Sequence, residues 1–325
     1  MKGIRKYIIL LIVGSVAFAA LFSYLLYRSF HQSGPHEQER VFLLPEGQGV
    51  IRTAWQLEEM GLITSKDIFR LGVKISGYER KLQAGEYKIP AGDSMHDIML
   101  ILASGKVVQH KATIVEGWTS WQIGEYLGSL VNLTGTLDVL PDEGSVMPET
   151  YLYTQGTARS ALVKRMQERQ AQLLETLWLA RDVDLPFESM EEALILASIV
   201  EKETALEKER SHIAGVFINR LRKKMRLQTD PTVIYGLSAK GFLDRPLSRA
   251  DLRKHTWYNT YVIRGLPPTP IAHPGRASLE AVFHPLKTDD LYFVADGNGG
   301  HSFATTLRDH NKNVRKYRQI EKLRQ

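Results

Sequence analysis

The chain has 325 residues, of which 43% are apolar and 24% are charged, so extensive disorder is not expected and the length suggests two domains. Its 42 basic and 36 acidic residues give a formal charge of +6, which alone does not separate a solvated basic surface from a site for anionic partners. The absence of cysteine excludes disulfides, thiolate nucleophiles and cysteine-based metal sites.

Residues 7–27 form an apolar segment without a charged residue. As a helix this segment would span about 30 Å, the thickness of a bilayer core. The basic residues that precede it are Lys2, Arg5 and Lys6. They predict a cytoplasmic tip over residues 1–6 and an extracytoplasmic location for everything after the segment. A cleaved signal peptide is the alternative, because residues 17–19 resemble a cleavage site. The apolar run continues well past them, so we predict an uncleaved single-pass anchor.

A polar linker over residues 28–40 leads into a repeated pattern of an apolar strand end, a glycine and an amphipathic helix. The glycines are Gly47, Gly92 and Gly117, and the helices are predicted at about 50–60, 95–103 and 120–130. These short pieces predict a small α+β module over residues 41–107 rather than a helical bundle. Modules of this kind often bind polysaccharide, although many only pack against a neighbour.

Residues 108–325 are predicted to form a second, mixed α/β domain. Its expected elements are a helix over 161–178, a helix starting at Ser189, a helix over 212–225, a hairpin over 290–304 and a basic helix over 308–325. Residues 225–237 alternate like a strand that is interrupted at Asp230–Pro231. Residues 258–275 are rich in proline and glycine, which predicts an extended loop.

The helix that starts at Ser189 ends in two glutamates, Glu201 and Glu203, after a nearly uninterrupted apolar run. Residues two apart lie on opposite sides of a helix, so both cannot serve one cleft. The residues preceding Glu203 on its stripe are Leu196, Ile199 and Val200, and those preceding Glu201 are Leu194, Ala197 and Ser198. The larger apolar stripe predicts that Glu203 lies at the edge of the buried face, where desolvation would raise its pKa and suit it to donate protons. The alternative is a solvated helix end in which Lys202 pairs with both acids.

Motifs for other chemistries are absent from the sequence. It has no HExxH, no G-x-S-x-G elbow, no serine with a lysine three residues later, no P-loop and no dinucleotide-binding glycine pattern. Both His301 and Asp230 are interpreted as turn residues. One candidate acid, a set of polar loop residues and an extracytoplasmic location suit glycan cleavage, although spacing alone does not establish it. No metal or cofactor is expected.

A family resemblance rests on five motifs near the C-terminus. They are ASIVEKET (197–204), VFINRLRKKMRLQTDPTVIYGL (216–237), YNTYVIRGLPP (258–268), PIAHPG (270–275) and LYFVADGNGGHSF followed by HN (291–311). In order and spacing they resemble the endolytic murein lytic transglycosylases, the YceG-like family. LQAGEYKI with LASGK resembles the LysM-like subdomain of that family, and PETYLY resembles its mid-chain motif. The resemblance implies an anchored α+β chain with a LysM-like subdomain and a catalytic transglycosylase domain.

In this family the catalytic acid is the second glutamate of EKET, which corresponds to Glu203. The resemblance implies non-hydrolytic cleavage of the β-1,4 bond between N-acetylmuramic acid and N-acetylglucosamine, giving 1,6-anhydromuramoyl ends. One carboxylate is then enough, because the muramoyl C6 hydroxyl replaces water as the nucleophile. Substrate binding is assigned to a polar set comprising Gln228, Thr229, Asp230, Tyr235, Asn259 and Tyr261.

The resemblance further implies a bacterial cytoplasmic membrane location, peptidoglycan strands as substrate, a role in terminating or trimming new strands, and cell-wall synthases as partners. Thr269 and His273 depart from the family pattern, which commonly has glycine and asparagine at these positions. An alternative is a membrane-tethered wall-binding scaffold in which Glu203 is structural. A binder of anionic lipid or nucleic acid would rest only on the basic C-terminal helix, and the topology argues against it.

Overall fold

The computed structural model describes the backbone of residues 2–324 and the side chains of residues 4–324. Met1 and Gln325, the ends of the predicted cytoplasmic tip and catalytic domain, lie outside the described residues. The chain divides between His110 and Lys111 into two compact units, each with its own hydrophobic core.

The first unit begins with helix α1 (Lys2–His31). Within the described residues, α1 is the one helix long and apolar enough to cross a membrane, over Ile4–His31. Its side chains are exposed almost throughout, and only Phe30 in the last turn is buried, where it joins the core of this unit. An apolar helix with no protein around it is what a bilayer-spanning segment requires.

The remaining elements of the first unit are β1 (Arg40–Leu44), α2 (Val50–Glu59), α3 (Lys66–Ile75), β2 (Gly85–Ile89) and α4 (Met95–Ser104). Strands β1 and β2 pair antiparallel, with Phe42 opposite Tyr87, and both side chains are buried in the core. The unit is therefore a small α+β module, as predicted. Its identity as a LysM-like subdomain stays a prediction.

The repeated strand–glycine–helix pattern is confirmed at all three positions. Gly47, Gly92 and Gly117 adopt φ of +75°, +74° and +75°, a region that side-chain-bearing residues rarely occupy. Each glycine turns the chain from a strand end toward the next helix. Ser94 and Thr119 then cap their helices through capping boxes, in which the N3 side chain reaches back to the cap.

The second unit contains twelve further elements. They are β3 (His110–Thr113), α5 (Ser120–Ser129), β4 (Thr150–Tyr153), α6 (Arg159–Ala180), α7 (Met190–Glu203), α8 (Glu207–Arg222), α9 (Asp230–Leu237), a 3₁₀ turn (Asp251–Arg253), α10 (Arg276–Phe283), β5 (Tyr292–Ala295), β6 (His301–Ala304) and α11 (Leu307–Arg324). Helix α7 lies at the centre, packed against α6, α8, α9 and α10. The site described below forms around its C-terminal end.

The structure confirms the predicted hairpin, since β5 and β6 pair antiparallel, and it confirms the C-terminal helix. The predicted strand over residues 225–237 is wrong, because Asp230–Leu237 form the short helix α9. Pro231 explains the difference. A proline in the first helical turn loses no hydrogen bond and has its φ already set for a helix, so Pro231 starts α9 instead of interrupting a strand.

Candidate active site

Glu203, the last residue of α7, lines a pocket of about 310 Å³ in the second unit. The other lining residues come from α8, from the loop before α9 and the start of α9, from the segment between α9 and α10, and from the β5–β6 hairpin. They are Arg220, Leu227, Gln228, Asp230, Tyr261, Phe293, Val294, Ala295 and His301. Leu196, Ile199 and Val200, which precede Glu203 on its face of α7, are all fully buried. The core thus fixes the helix end that carries the carboxylate.

The Glu203 carboxylate has one close polar partner, the hydroxyl of Thr229, which donates a hydrogen bond to Oε1. Among the described side chains, no basic group lies within 4.0 Å of it. Burial raises the pKa of Glu203, and the nearby Asp230 carboxylate raises it further. The Thr229 hydrogen bond and the charges of His301 and Arg220 oppose this rise. The half-buried side chain is therefore biased toward the protonated form.

Glu201 is also buried, with only 6% of its side chain exposed. The smaller stripe that Glu201 shares on α7 is no more exposed than that of Glu203, since its members Ala197 and Ser198 are fully buried. What separates the two acids is their partners. Glu201 lies 3.7 Å from the guanidinium of Arg210 and accepts the backbone N–H of Gly275 at 3.0 Å. These contacts tie the end of α7 to α8 and to the turn before α10.

The loop before α9 is fastened so that Thr229 faces Glu203. The backbone N–H of Thr229 donates to Thr260 Oγ1 at 3.0 Å, and that of Gln228 donates to the Thr260 carbonyl at 3.2 Å. Gln228 has a φ of +53°, a strained value for a residue with a side chain. Its side chain is exposed and lines the pocket. Such strain at a pocket wall accords with a functional loop.

Asp230 and Tyr261 form the solvent-facing side of the pocket. The Tyr261 hydroxyl donates to Asp230 Oδ1 at 2.7 Å. Burial, together with this carboxylate, raises the pKa of Tyr261, so its hydroxyl stays protonated and keeps its role as donor. The structure therefore brings Gln228, Asp230 and Tyr261 together at the pocket. Thr229 does not line the pocket, but its buried hydroxyl contacts Glu203.

The structure does not bring two of the predicted substrate-binding residues to this pocket. Asn259 is fully buried, and its amide donates to the carbonyls of Asp251, Leu252 and Lys254 at 3.3, 3.2 and 2.7 Å. Its Oδ1 accepts the backbone N–H of Tyr261 at 3.0 Å. With no exposed atom, Asn259 holds the loop rather than a glycan. Tyr235 lies further along α9 and lines a different cavity.

No site role was predicted from the sequence for three residues of the pocket environment, namely Arg220, His301 and its partner Glu209. Arg220, buried on α8, donates to the carbonyls of Leu227 and Leu291, each at 2.6 Å, and so ties together the two sides of the pocket. His301 donates from Nδ1 to Glu209 at 2.7 Å, and its backbone N–H donates to the same carboxylate at 3.1 Å. The signal for Arg220 was a basic residue on an otherwise apolar helix face. None of the three belongs to a sequence motif whose spacing would indicate a binding or catalytic site.

Comparison with known proteins places this geometry in context. The profile of the YceG-like family matches residues 42–316. A protein of Bacillus subtilis (strain 168) named endolytic murein transglycosylase is 34% identical over 306 residues, which cover 84% of this chain and 83% of the relative. A relative of the same name from Streptococcus pneumoniae serotype 2 (strain D39 / NCTC 7466) is 30% identical, and the match covers 83% of this chain and 57% of that protein. The crystal structure of a yceG-like protein from Listeria monocytogenes is 31% identical, with a TM-score of 0.51 over 85% of this chain and 99% of that one.

Proposed function

Because the chain belongs to the YceG-like family, we propose that it is an endolytic murein transglycosylase whose catalytic acid is Glu203. The enzyme class is that of the lytic transglycosylases, the lyases to which the names of its relatives refer. The observation that carries the assignment of Glu203 is its setting. It is a pocket carboxylate with a raised pKa, a hydroxyl partner and no paired cation among the residues described.

The proposed reaction uses Glu203 twice. As an acid, it protonates the oxygen of the β-1,4 bond between N-acetylmuramic acid and N-acetylglucosamine while that bond breaks. The carboxylate then takes the proton of the muramoyl C6 hydroxyl as its oxygen bonds to C1 of the same sugar. The products are a free 4-hydroxyl and a 1,6-anhydromuramoyl end, so no water is consumed and Glu203 returns to its starting protonation state.

The surroundings of Glu203 favour both steps. A raised pKa increases the protonated fraction of the acid relative to a solvent-exposed glutamate, and the first step requires the protonated form. The Thr229 hydroxyl stabilises the ionised form, which exists between the two steps. Gln228, Asp230 and Tyr261 would bind the sugar flanking the scissile bond. Their hydroxyl, amide and carboxylate groups match its hydroxyl and acetamido groups.

Helix α1 supports membrane attachment. We assign it as the single anchor of a protein in the bacterial cytoplasmic membrane, with the N-terminus in the cytoplasm and everything after α1 outside. The first unit would then be a LysM-like module that binds the glycan close to the membrane. A tethered enzyme that cuts within strands would terminate or trim glycan as synthases in the same membrane produce it.

The chemistry of the new chain ends tests the proposal. Isolated peptidoglycan is incubated with the full-length protein in detergent, digested with muramidase and examined by mass spectrometry. Anhydromuropeptides above the level of untreated wall are the expected result. New reducing ends, measured before the muramidase digestion because muramidase itself creates such ends, would instead indicate hydrolysis with Asp230 as a second carboxylate, since that side chain lines the same pocket. Binding to peptidoglycan without new ends of either kind would favour the alternative of a wall-binding scaffold.

A further inference from the structure

A second cavity of about 720 Å³ lies in the same unit and shares no lining residue with the Glu203 pocket. Its walls combine aromatic rings with uncharged and charged polar groups. The residues that define its character are Trp121, Glu143, Tyr235, Lys240, Tyr258 and Thr269. The steps proposed for bond cleavage use none of them. The cavity is larger than the catalytic pocket, and bond cleavage does not account for its aromatic and polar lining.

The aromatic side chains form two platforms. Tyr235 and Tyr258 pack edge to face with ring centroids 4.9 Å apart. The ammonium group of Lys240 lies over the ring of Trp121, with Nζ 4.9 Å from the ring centroid. All three aromatic residues line the cavity and are partly exposed. Half-exposed aromatic rings with a polar handle provide contact area at small entropic cost.

The inner end of the cavity is polar and rigid. Glu143 accepts the backbone N–H of Ser120 at 3.1 Å and the hydroxyl of Tyr235 at 3.3 Å, with 10% of its side chain exposed. His273 behind it is fully buried. Its Nδ1 accepts the N–H of Val146, so Nε2 bears the proton and donates to Ser120 Oγ at 3.0 Å. Burial raises the pKa of Glu143 to about 7.

Thr269 and His273 both shape one wall of this cavity. Thr269 lines it, and the Thr269 hydroxyl lies 2.8 Å from that of Tyr258. His273 lies behind the lining and fixes Ser120, whose N–H holds Glu143.

Helix α9 links the two cavities. Asp230 at its start lines the catalytic pocket, and Tyr235, five residues later, lines the second cavity. Five residues advance a helix by about 7.5 Å and turn it by about 140°, so the two cavities lie on different sides of α9. A ligand that reaches both must be an extended chain that passes around the helix, as a polymer of sugars can, whereas a single small ligand would occupy only one of the cavities.

We propose that the second cavity is a glycan subsite that binds a sugar of the strand being cleaved, away from the scissile bond, through Trp121, Tyr235 and Tyr258. This inference rests on the proposed function, since it requires a glycan substrate. The aromatic faces suit the C–H face of a pyranose ring, and the hydroxyls of Tyr258 and Thr269 suit its substituents. Charges at the rim are of both signs, namely Asp142, Glu191 and Lys240, so they do not select a strongly charged ligand.

The test compares Trp121→Ala with Trp257→Ala in the full-length protein. Trp257 is 77% exposed and does not line the cavity, which makes it a matched control. The substrates are intact glycan strands and strands freed of peptide stems by an amidase. For Trp121→Ala we expect kcat/KM to fall about tenfold on both substrates, mainly through KM, the loss typical of an aromatic contact residue. Trp257→Ala should match the wild type.

Equal kcat/KM for Trp121→Ala and the wild type would overturn the proposal. A loss confined to stem-bearing strands would also overturn it, because the cavity would then bind peptide. If Trp121→Ala fails to fold, Ala239→Met narrows the same cavity from its exposed rim and should raise KM without disturbing the core. A failure of the proposed function can be distinguished from a failure of the proposed subsite. Wild-type protein would then form no anhydro ends, and cosedimentation of stem-free strands with the Trp121 and Trp257 variants would still report on the cavity.

Discussion

The hydroxyl of Thr229 donates a hydrogen bond to the carboxylate of Glu203 from a loop that is itself fastened to Thr260. This bond stabilises the ionised carboxylate, while burial stabilises the neutral acid. A group that first gives and then accepts a proton needs both contributions, because each step uses a different form of the carboxyl group. The contact therefore connects the fold of the α9 loop to the proposed chemistry.

Replacing Thr229 by valine tests that balance. Valine has nearly the same shape but no hydroxyl, so the ionised form of Glu203 loses its donor and the pKa of Glu203 rises further. Because the reaction begins from the protonated acid, the alkaline limb of the pH–kcat profile should move to higher pH by about half to one unit. Thr229→Ser keeps the hydroxyl and should leave the limb in place. A shift of the valine variant to lower pH would contradict this interpretation.

Glu201→Gln should affect stability far more than chemistry. The substitution leaves the buried Arg210 with only the more distant Glu116, whose carboxylate lies 3.8 Å away, as its ion-pair partner. We expect a loss of about 2 kcal/mol or more in the free energy of unfolding, measured by urea titration. The exposed Glu207→Gln should show no comparable loss. The folded Glu201 variant should still form anhydro ends, and their disappearance at full stability would show that Glu201 takes part in the reaction.

Asn259→Ala separates a structural role from a substrate contact. The variant leaves three backbone carbonyls without their buried donor, which should lower the free energy of unfolding by about 2 kcal/mol or more. KM of the folded fraction should change little, because Asn259 has no exposed atom. Unchanged thermal stability together with a raised KM would restore the substrate-binding role predicted from the sequence.

Glu143→Gln should alter the pH dependence of stability. The pKa of Glu143 is raised to about 7 in the folded protein, whereas an unfolded glutamate titrates near about 4.3. The native state therefore holds this proton more tightly, and its contribution is complete below the unfolded pKa and is lost as pH rises through 7. Relative to wild type, Glu143→Gln should gain up to about 3 kcal/mol between pH 4 and pH 8.

Urea titrations of both proteins across this range provide the measurement. His273, whose pKa burial lowers to about 3, is present in both and largely cancels in the difference. A stability difference that does not vary with pH would show that the fold does not raise the pKa of Glu143 above its unfolded value.

The sequence predicted that Glu203 lies at the C-terminal end of a helix that starts after Ser189, because the signals for that helix are all close together in the chain. An apolar run, a capping serine and two acids are all visible within fifteen residues, and the family motif points to the same glutamate. The burial of Glu201 was not predictable in this way. It depends on Arg210 from the next helix and on the N–H of Gly275, 74 residues away in the chain. A helical wheel shows only which residues of one helix share a face. The burial of each face depends on the other elements that pack against that helix.

Polar loop residues show the same limit. Asp230 and Tyr261 were predicted as site residues and do meet at the pocket, whereas Asn259, from the same motif as Tyr261, turns inward to cap backbone carbonyls. Residue type does not distinguish an amide that binds substrate from one that holds a loop. His301 was taken for a turn residue because its partner Glu209 lies 92 positions earlier. Such pairings follow from tertiary structure, which spacing does not encode.

The central claim is that Glu203 alone supplies the acid and the base. Its most direct test is the rate at which full-length wild-type and Glu203→Gln proteins form 1,6-anhydromuropeptides from the same peptidoglycan, with binding of the variant checked by cosedimentation. Glutamine keeps the shape of glutamate but neither gives nor accepts the proton. We predict a loss of at least about 100-fold with binding retained. Anhydro ends formed by Glu203→Gln within tenfold of the wild-type rate would contradict the claim and place the acid elsewhere.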